Sequence, residues 1–216
     1  MSARQPAPDH IQPREFKFTK DNMDIVYHHI NKYPEGRQQS ALLPVLMLAQ
    51  RQHENWLPRV AVEHVAEILN VPYIRAWEVA TFYTMYNLAP MGRHHIQICG
   101  TTPCWLCGSD EVFRAVKDEL GLTHGHVTDD GEFGMTEVEC LGSCATAPMM
   151  QISTSNWDHY FEDLDYENTR KLLQELKSGK MPKIGSQKGR VNTEPMEGPT
   201  TLLDQQSDYE KSKKAG

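Results

Sequence analysis

Five cysteines occur in the 216 residues, and four of them fall into two close pairs, Cys99-Gly-Thr-Thr-Pro-Cys104 and Cys140-Leu-Gly-Ser-Cys144. Each spacing lets one loop aim two thiolates at a single iron. A [2Fe–2S] cluster holds two irons in tetrahedral sulfur surroundings, so two such loops match its demand. Gly100 and Gly142 suit the sharp turns required, and their uncovered N–H groups can reach cluster sulfurs. Cys99, Cys104, Cys140 and Cys144 are therefore the candidate ligands, and one [2Fe–2S] cluster is the expected cofactor. In a cytosolic chain, an odd cysteine count with paired spacings fits metal or redox chemistry better than a disulfide scaffold.

The same thiols admit other arrangements. Cys99-x4-Cys104-x2-Cys107 with one distant cysteine is also the plant-type ferredoxin spacing, which makes Cys107 a ligand and leaves Cys140 or Cys144 idle. A structural zinc on Cys104, Cys107 and the distal pair leaves Cys99 out. Cys104-Trp-Leu-Cys107 ahead of a helix has the form of a redox dithiol, where the helix start lowers a thiol pKa. Histidine ligation of the Rieske kind needs two histidines in the ligand loops, and neither loop has one. The ten histidines, among them His28, His29, His124 and His126, read mainly as surface residues, and His94 and His95 alternate faces of a strand. No G-x-G-x-x-G, Walker A or Ser-His-Asp pattern occurs, so a dinucleotide must bind elsewhere if the chain serves a dehydrogenase.

Thiolates at these spacings work only if the fold brings the two loops together. Residues 1–18 read as an extended, Pro-punctuated arm. Helical spacing of Met23, Val26, Tyr27, Ile30 and Tyr33, an apolar run from Ala41 to Ala49, the set Val62, Val65, Ala66 and Leu69, and a helix from Tyr73 to Tyr86 behind Pro72 predict a small bundle over 19–90. Trp77, Phe82, Tyr83 and Tyr86 of that last helix are expected in the core or at a subunit interface. The period then changes. His94 to Ile98 alternates as a strand into Cys99, Ser109 is placed to cap a helix ending at Gly121, and Thr136 to Glu139 feeds Cys140 as a second strand. Met149–Ile152 and His159–Phe161 follow as strands, with a helix from Asp165 to Ser178. This makes 91–181 an α+β domain with both cysteine loops at one sheet edge. Trp105 could shield a cluster from water, and Met149 with Met150 is expected to cover the second loop. From Pro182 to 216 the polar, Gly/Pro-punctuated chain reads as an extended tail that orders against a partner.

Composition narrows the function. A net charge of −7 argues against broad nucleic-acid binding, which needs a basic stripe. No apolar run reaches the roughly 18 residues that span a bilayer, so no membrane insertion is expected. The first residues lack a signal-peptide layout, which favours the cytoplasm.

The segments HIQICGTTPCWLCGSDEVF and EVECLGSCATAPMMQI resemble the family of 24-kDa subunits of respiratory NADH:quinone oxidoreductase (complex I), known in bacteria as the E subunit. The resemblance extends through GRQQSALLPVLMLAQRQHENWLP and PYIRAWEVATFYTMYNLAP to GRVNTEPMEGPTTL, about residues 12–203. It implies an N-terminal helical bundle followed by a thioredoxin-like [2Fe–2S] ferredoxin domain, with Cys99, Cys104, Cys140 and Cys144 as ligands. Cys107 lies outside the family's ligand pattern. It also implies an electron-transfer subunit without turnover of its own. The cluster would lie beside the FMN of a flavin-binding NADH dehydrogenase subunit, which carries the NADH site, with further iron–sulfur subunits in the complex. Such a complex is peripheral to the bacterial inner membrane, or on the matrix side in mitochondria. The equivalent subunit of an NAD-linked hydrogenase or formate dehydrogenase is the near alternative. A free thioredoxin-like thiol protein using Cys104 and Cys107 is the distant one.

Overall fold

In the computed structural model, which describes residues 5–198 together with 200 and 201, Thr19 opens the first helix, α1 (Lys20–Ile30), by accepting the Asn22 N–H on its side chain. A 3₁₀ turn at Gln38–Ala41 runs into α2 (Leu42–Gln52). Pro44 is tolerated there because it lies in the first turn, where an N–H has no intrahelical partner. Pro58 and Pro72 stand directly before α3 (Arg59–Ile68) and α4 (Tyr73–Phe82). Val26, Val45, Leu46, Val62, Val65 and Ala80 are among the residues that bury this bundle's core.

The fourth helix stops at Phe82 rather than at Tyr86. Tyr83 turns extended, and Tyr86 is drawn into the core, where its hydroxyl donates to the Leu43 carbonyl at 2.9 Å. The chain that follows is held by buried Gln50, whose Nε2 donates to Met85 O (3.0 Å) and whose Oε1 accepts from Asn87 N (2.7 Å). The N-terminal arm is packed, and a 3₁₀ turn at Asp9–Ile11 interrupts its extended course. Phe16 and Phe18 meet edge to face in the same core, and Ala7 N donates to Leu88 O at 2.8 Å.

The other part of the chain begins with β1 (His94–Cys99), then α5 (Thr102–Leu106), α6 (Ser109–Leu120), β2 (His126–Val127) and β3 (Phe133–Val138). It continues through β4 (Met150–Ser153), β5 (Asp158–Glu162), α7 (Tyr166–Lys177) and β6 (Gly185–Ser186). Among the described residues these strands form one mixed sheet in the order β2-β3-β1-β4-β5-β6. Contacts divide the chain into two units: residues 5–95 with 129–133 and 153–157, and residues 96–128 with 134–152 and 158–201.

Several elements differ from the sequence reading. Helix α5 and the two-residue strands β2 and β6 are too short for periodicity to reveal. Ser109 does not cap α6. Gly108 does, in the left-handed conformation (φ 98°) that lets α6 follow α5 without a break, and Ser109 is buried. At α7 a capping box forms that the sequence reading did not name: Asp165 and Asn168 exchange side-chain-to-backbone bonds of 2.9 and 2.8 Å. Helices α6 and α7 pack together, and Tyr166 receives Arg114 over its ring at 4.5 Å.

The segment after Pro182 does not wait for a partner over residues 185–194. Strand β6 pairs in parallel with β5, Ser186 donates to Asp163 Oδ2 at 2.6 Å, and Arg190 forms a buried ion pair with Asp163 (Nε–Oδ2 2.7 Å). An ion pair across that many residues leaves no local signature. Residues 199 and 202–216 of the expected tail lie outside the described residues.

Candidate cluster site

Both cysteine loops leave from neighbouring strands. The bonds Arg93 N→Gly131 O, His94 N→Glu132 O and Gly100 N→Val138 O keep one constant register between β1 and β3, which makes the strands parallel. Parallel neighbours end at the same sheet edge. Cys99 is the last residue of β1, and Cys140 follows the end of β3 by two residues.

Cys99 and Cys104 are only 2% and 1% exposed, and Met149 is buried against them with Leu141 and Ala147 alongside. The Met149 cover thus falls on the first pair, with Leu141 of the second loop in the same cluster. Cys104 occupies the third position of α5, which folds it back beside Cys99 so that the two thiols hydrogen bond. Burial works to raise the Cys99 thiol, but it is outweighed. The Thr101 hydroxyl (3.0 Å), the N–H groups of Thr101 and Leu141, and Cys104 together hold its pKa below the ordinary value. Cys104 moves the other way. Burial first, then the bond and charge of Cys99, push it up to about 12 despite the Met149 N–H. The helix start therefore does not activate Cys104 as a redox dithiol requires.

Leu141 follows Cys140 directly, so its N–H on Cys99 Sγ ties the second loop to the first pair. Thr101 Oγ1 adds a bond to Glu139 O at 2.5 Å. Cys140 and Cys144 are exposed. Gly142, with φ +78°, turns its N–H back onto Cys140 Sγ at 3.4 Å, and a negative charge at Cys144 contributes to the upward push on Cys104. Gly100 is not the free donor expected. Its N–H is already given to Val138 O, and a Cβ there would meet only the carboxylate end of the exposed Glu137 side chain, which can swing aside.

Among the described residues no three His, Cys, Asp or Glu side chains close round a single ion. Cys99 and Cys104 form one pair instead, and the loop carrying Cys140 and Cys144 lies against it through the Leu141 N–H. Four thiols, three of them (Cys99, Cys104 and Cys140) with backbone N–H groups on their sulfurs, are a donor set suited to an iron–sulfur cluster.

The sequence model of the thioredoxin-like [2Fe–2S] ferredoxin family matches residues 26–177. The chain belongs to that family. It is 48% identical over 163 residues to the E subunit of the NADH-quinone oxidoreductase of Rickettsia bellii, covering 76% of this chain and 95% of the relative. The protein of the same name from Rickettsia conorii is 47% identical over the same coverage. Among solved structures, an NAD+-reducing [NiFe]-hydrogenase in the H2-reduced state shares the fold. The TM-score is 0.53 at 18% identity, covering 62% of this chain and 22% of that one.

In this ferredoxin Cys107 is exposed at the end of α5, apart from the buried Cys104. Trp105 and Leu106 are 57% and 72% exposed, so Trp105 gives no buried shield. His94 stacks on Phe133 with centroids 5.1 Å apart, and burial takes the His95 pKa down to about 4. Sequence reasoning missed Thr101, Ser143, Thr146, Tyr160 and Glu162. Tyr160 donates to Leu141 O at 2.9 Å, and Glu162 Oε1 stands 2.5 Å from the Ser143 and Thr146 hydroxyls. The Tyr160 phenol is raised by burial first, then by negative charge at Cys140, Glu162 and Cys99. The signal available was the period-two alternation of β5, but nothing local says which loop that face meets.

Proposed function

We propose that this ferredoxin is the electron-transfer subunit of an NADH–quinone oxidoreductase, with one [2Fe–2S] cluster held by Cys99, Cys104, Cys140 and Cys144. The observation that carries the reading is the parallel pairing of β1 and β3, which delivers both cysteine loops to one edge with Cys99 touching Cys104 and the Leu141 N–H. The 48% identity to the Rickettsia bellii protein over nearly its whole length supports the choice of complex. When bound, the cluster supplies one-electron acceptance and donation. The chain's own work is to hold and tune. Four thiolates bind, the N–H groups of Leu141, Met149 and Gly142 with the Thr101 hydroxyl favour negative charge on sulfur, and Met149 keeps water from the first pair.

Hydride chemistry falls to a partner that carries FMN and the NADH site, since no nucleotide-binding motif occurs here. Further iron–sulfur subunits would complete the path. Among the described residues no helix is long and apolar enough to cross a membrane, and a peripheral place on the cytoplasmic face of the inner membrane suits such a subunit. The working domain limits are 19–90 for the helical bundle and 91–181 for the ferredoxin domain. Mixing the cluster-loaded chain with the flavin-bearing subunit and NADH tests the proposal. The cluster should be reduced by NADH only when that subunit is present. Reduction by NADH alone, or none in the mixture, contradicts it.

A further inference from the structure

The loop that carries Cys140 and Cys144 leans on a single strand. Tyr160 and Glu162 of β5 are two residues apart, so the pleat sets both on one face, while Phe161 between them is fully buried. The Tyr160 hydroxyl takes the loop near its start, at the Leu141 carbonyl (2.9 Å). Glu162 Oε1 takes it near its end, 2.5 Å from Ser143 Oγ and from Thr146 Oγ1, the residues that bracket Cys144. Thr146 is fully buried, and Asp163 N donates to its carbonyl at 2.8 Å, so the strand's next residue extends the grip. Leu141 is also the residue whose N–H reaches Cys99 Sγ. One strand face thus holds the loop that carries the two exposed thiols near both of its ends.

We propose that Tyr160 and Glu162 are positioning residues for the cluster: they clamp the second ligand loop at both ends, and Glu162 adds a negative charge beside it. The inference rests on the ligand assignment made above. It is tested on the full chain loaded with its cluster, as wild type, Tyr160→Phe, Glu162→Gln and Glu162→Ala, with Cys144→Ser as control. Four readings are taken: cluster loss to a chelator, reduction potential, the paramagnetic resonance line shape of the reduced cluster, and thermal unfolding of the metal-free chain. Glu162→Ala should lose the cluster roughly tenfold faster, as two hydroxyls lose a charged acceptor. Glu162→Gln keeps an acceptor and should restore most of the lifetime, yet raise the potential because a negative charge is gone. Tyr160→Phe should shift the line shape and shorten the lifetime less. Wild-type lifetimes, potentials and spectra in all three overturn the clamp. So does an equal loss of thermal stability in the three with potential and line shape unmoved, which makes the residues merely structural. A wild-type cluster in Cys144→Ser would overturn the ligand assignment itself.

Discussion

The two cysteine loops are built differently. Cys99 closes a central strand and Cys104 lies in the helix that follows, so both sulfurs are buried by the same packing that makes the sheet. Cys140 and Cys144 leave β3 on irregular chain with exposed sulfurs, and their loop takes its shape from polar contacts with β5 and Asp163. The first loop is a product of the core. The second is a product of a few hydrogen bonds and, behind them, of the Arg190–Asp163 ion pair.

The sharpest test of that difference is serine at each proposed ligand. Cys99→Ser, Cys104→Ser, Cys140→Ser and Cys144→Ser should each abolish the stoichiometric cluster, measured as iron per chain. The metal-free chains should then part company. Serine at Cys99 or Cys104 should cost on the order of 1–3 kcal/mol in denaturant unfolding, since it replaces a buried sulfur packed under Met149 with a smaller hydroxyl that costs more to strip of water. Serine at Cys140 or Cys144 should cost nearly nothing.

Arg190→Ala should cost about 3 kcal/mol, because it leaves the Asp163 carboxylate buried without its partner. Burial works to raise the Asp163 carboxyl, but Arg190 and Ser186 hold it below the usual carboxylate range. The pair's contribution is therefore complete at neutral pH. It fades only as pH falls below about 3.9 toward the depressed value. Unfolding measured against pH should show that acid loss in the wild type and a weaker one in the variant. Met149→Ala, on the side of the first loop, should cost about 2 kcal/mol through lost packing on Cys99 and Cys104, and it should not alter the acid dependence. Cys107→Ser should change least, within about 0.5 kcal/mol, with iron content unaltered.

What the sequence made legible follows the same contrast. Strand alternation into Cys99 and into Cys140 and the paired cysteine spacing are local, and they announced two cysteine loops at one sheet edge. Helices α1 to α4, α6 and α7 were legible from apolar spacing, with the end of α4 displaced because Tyr86 packs into the core. Tyr160 on Leu141, Glu162 on Ser143 and Thr146, and Arg190 on Asp163 were not legible. Each joins polar side chains across long stretches of chain, where neither periodicity nor composition carries information.

The central claim is that these thiols hold a two-iron cluster. Paramagnetic resonance of the purified, dithionite-reduced full chain, with iron and acid-labile sulfide quantified alongside, addresses it most directly. A spin-half signal with about two irons and two sulfides per chain is the expected result. Zinc in place of iron, or metal-free thiols with reductase activity, would contradict it.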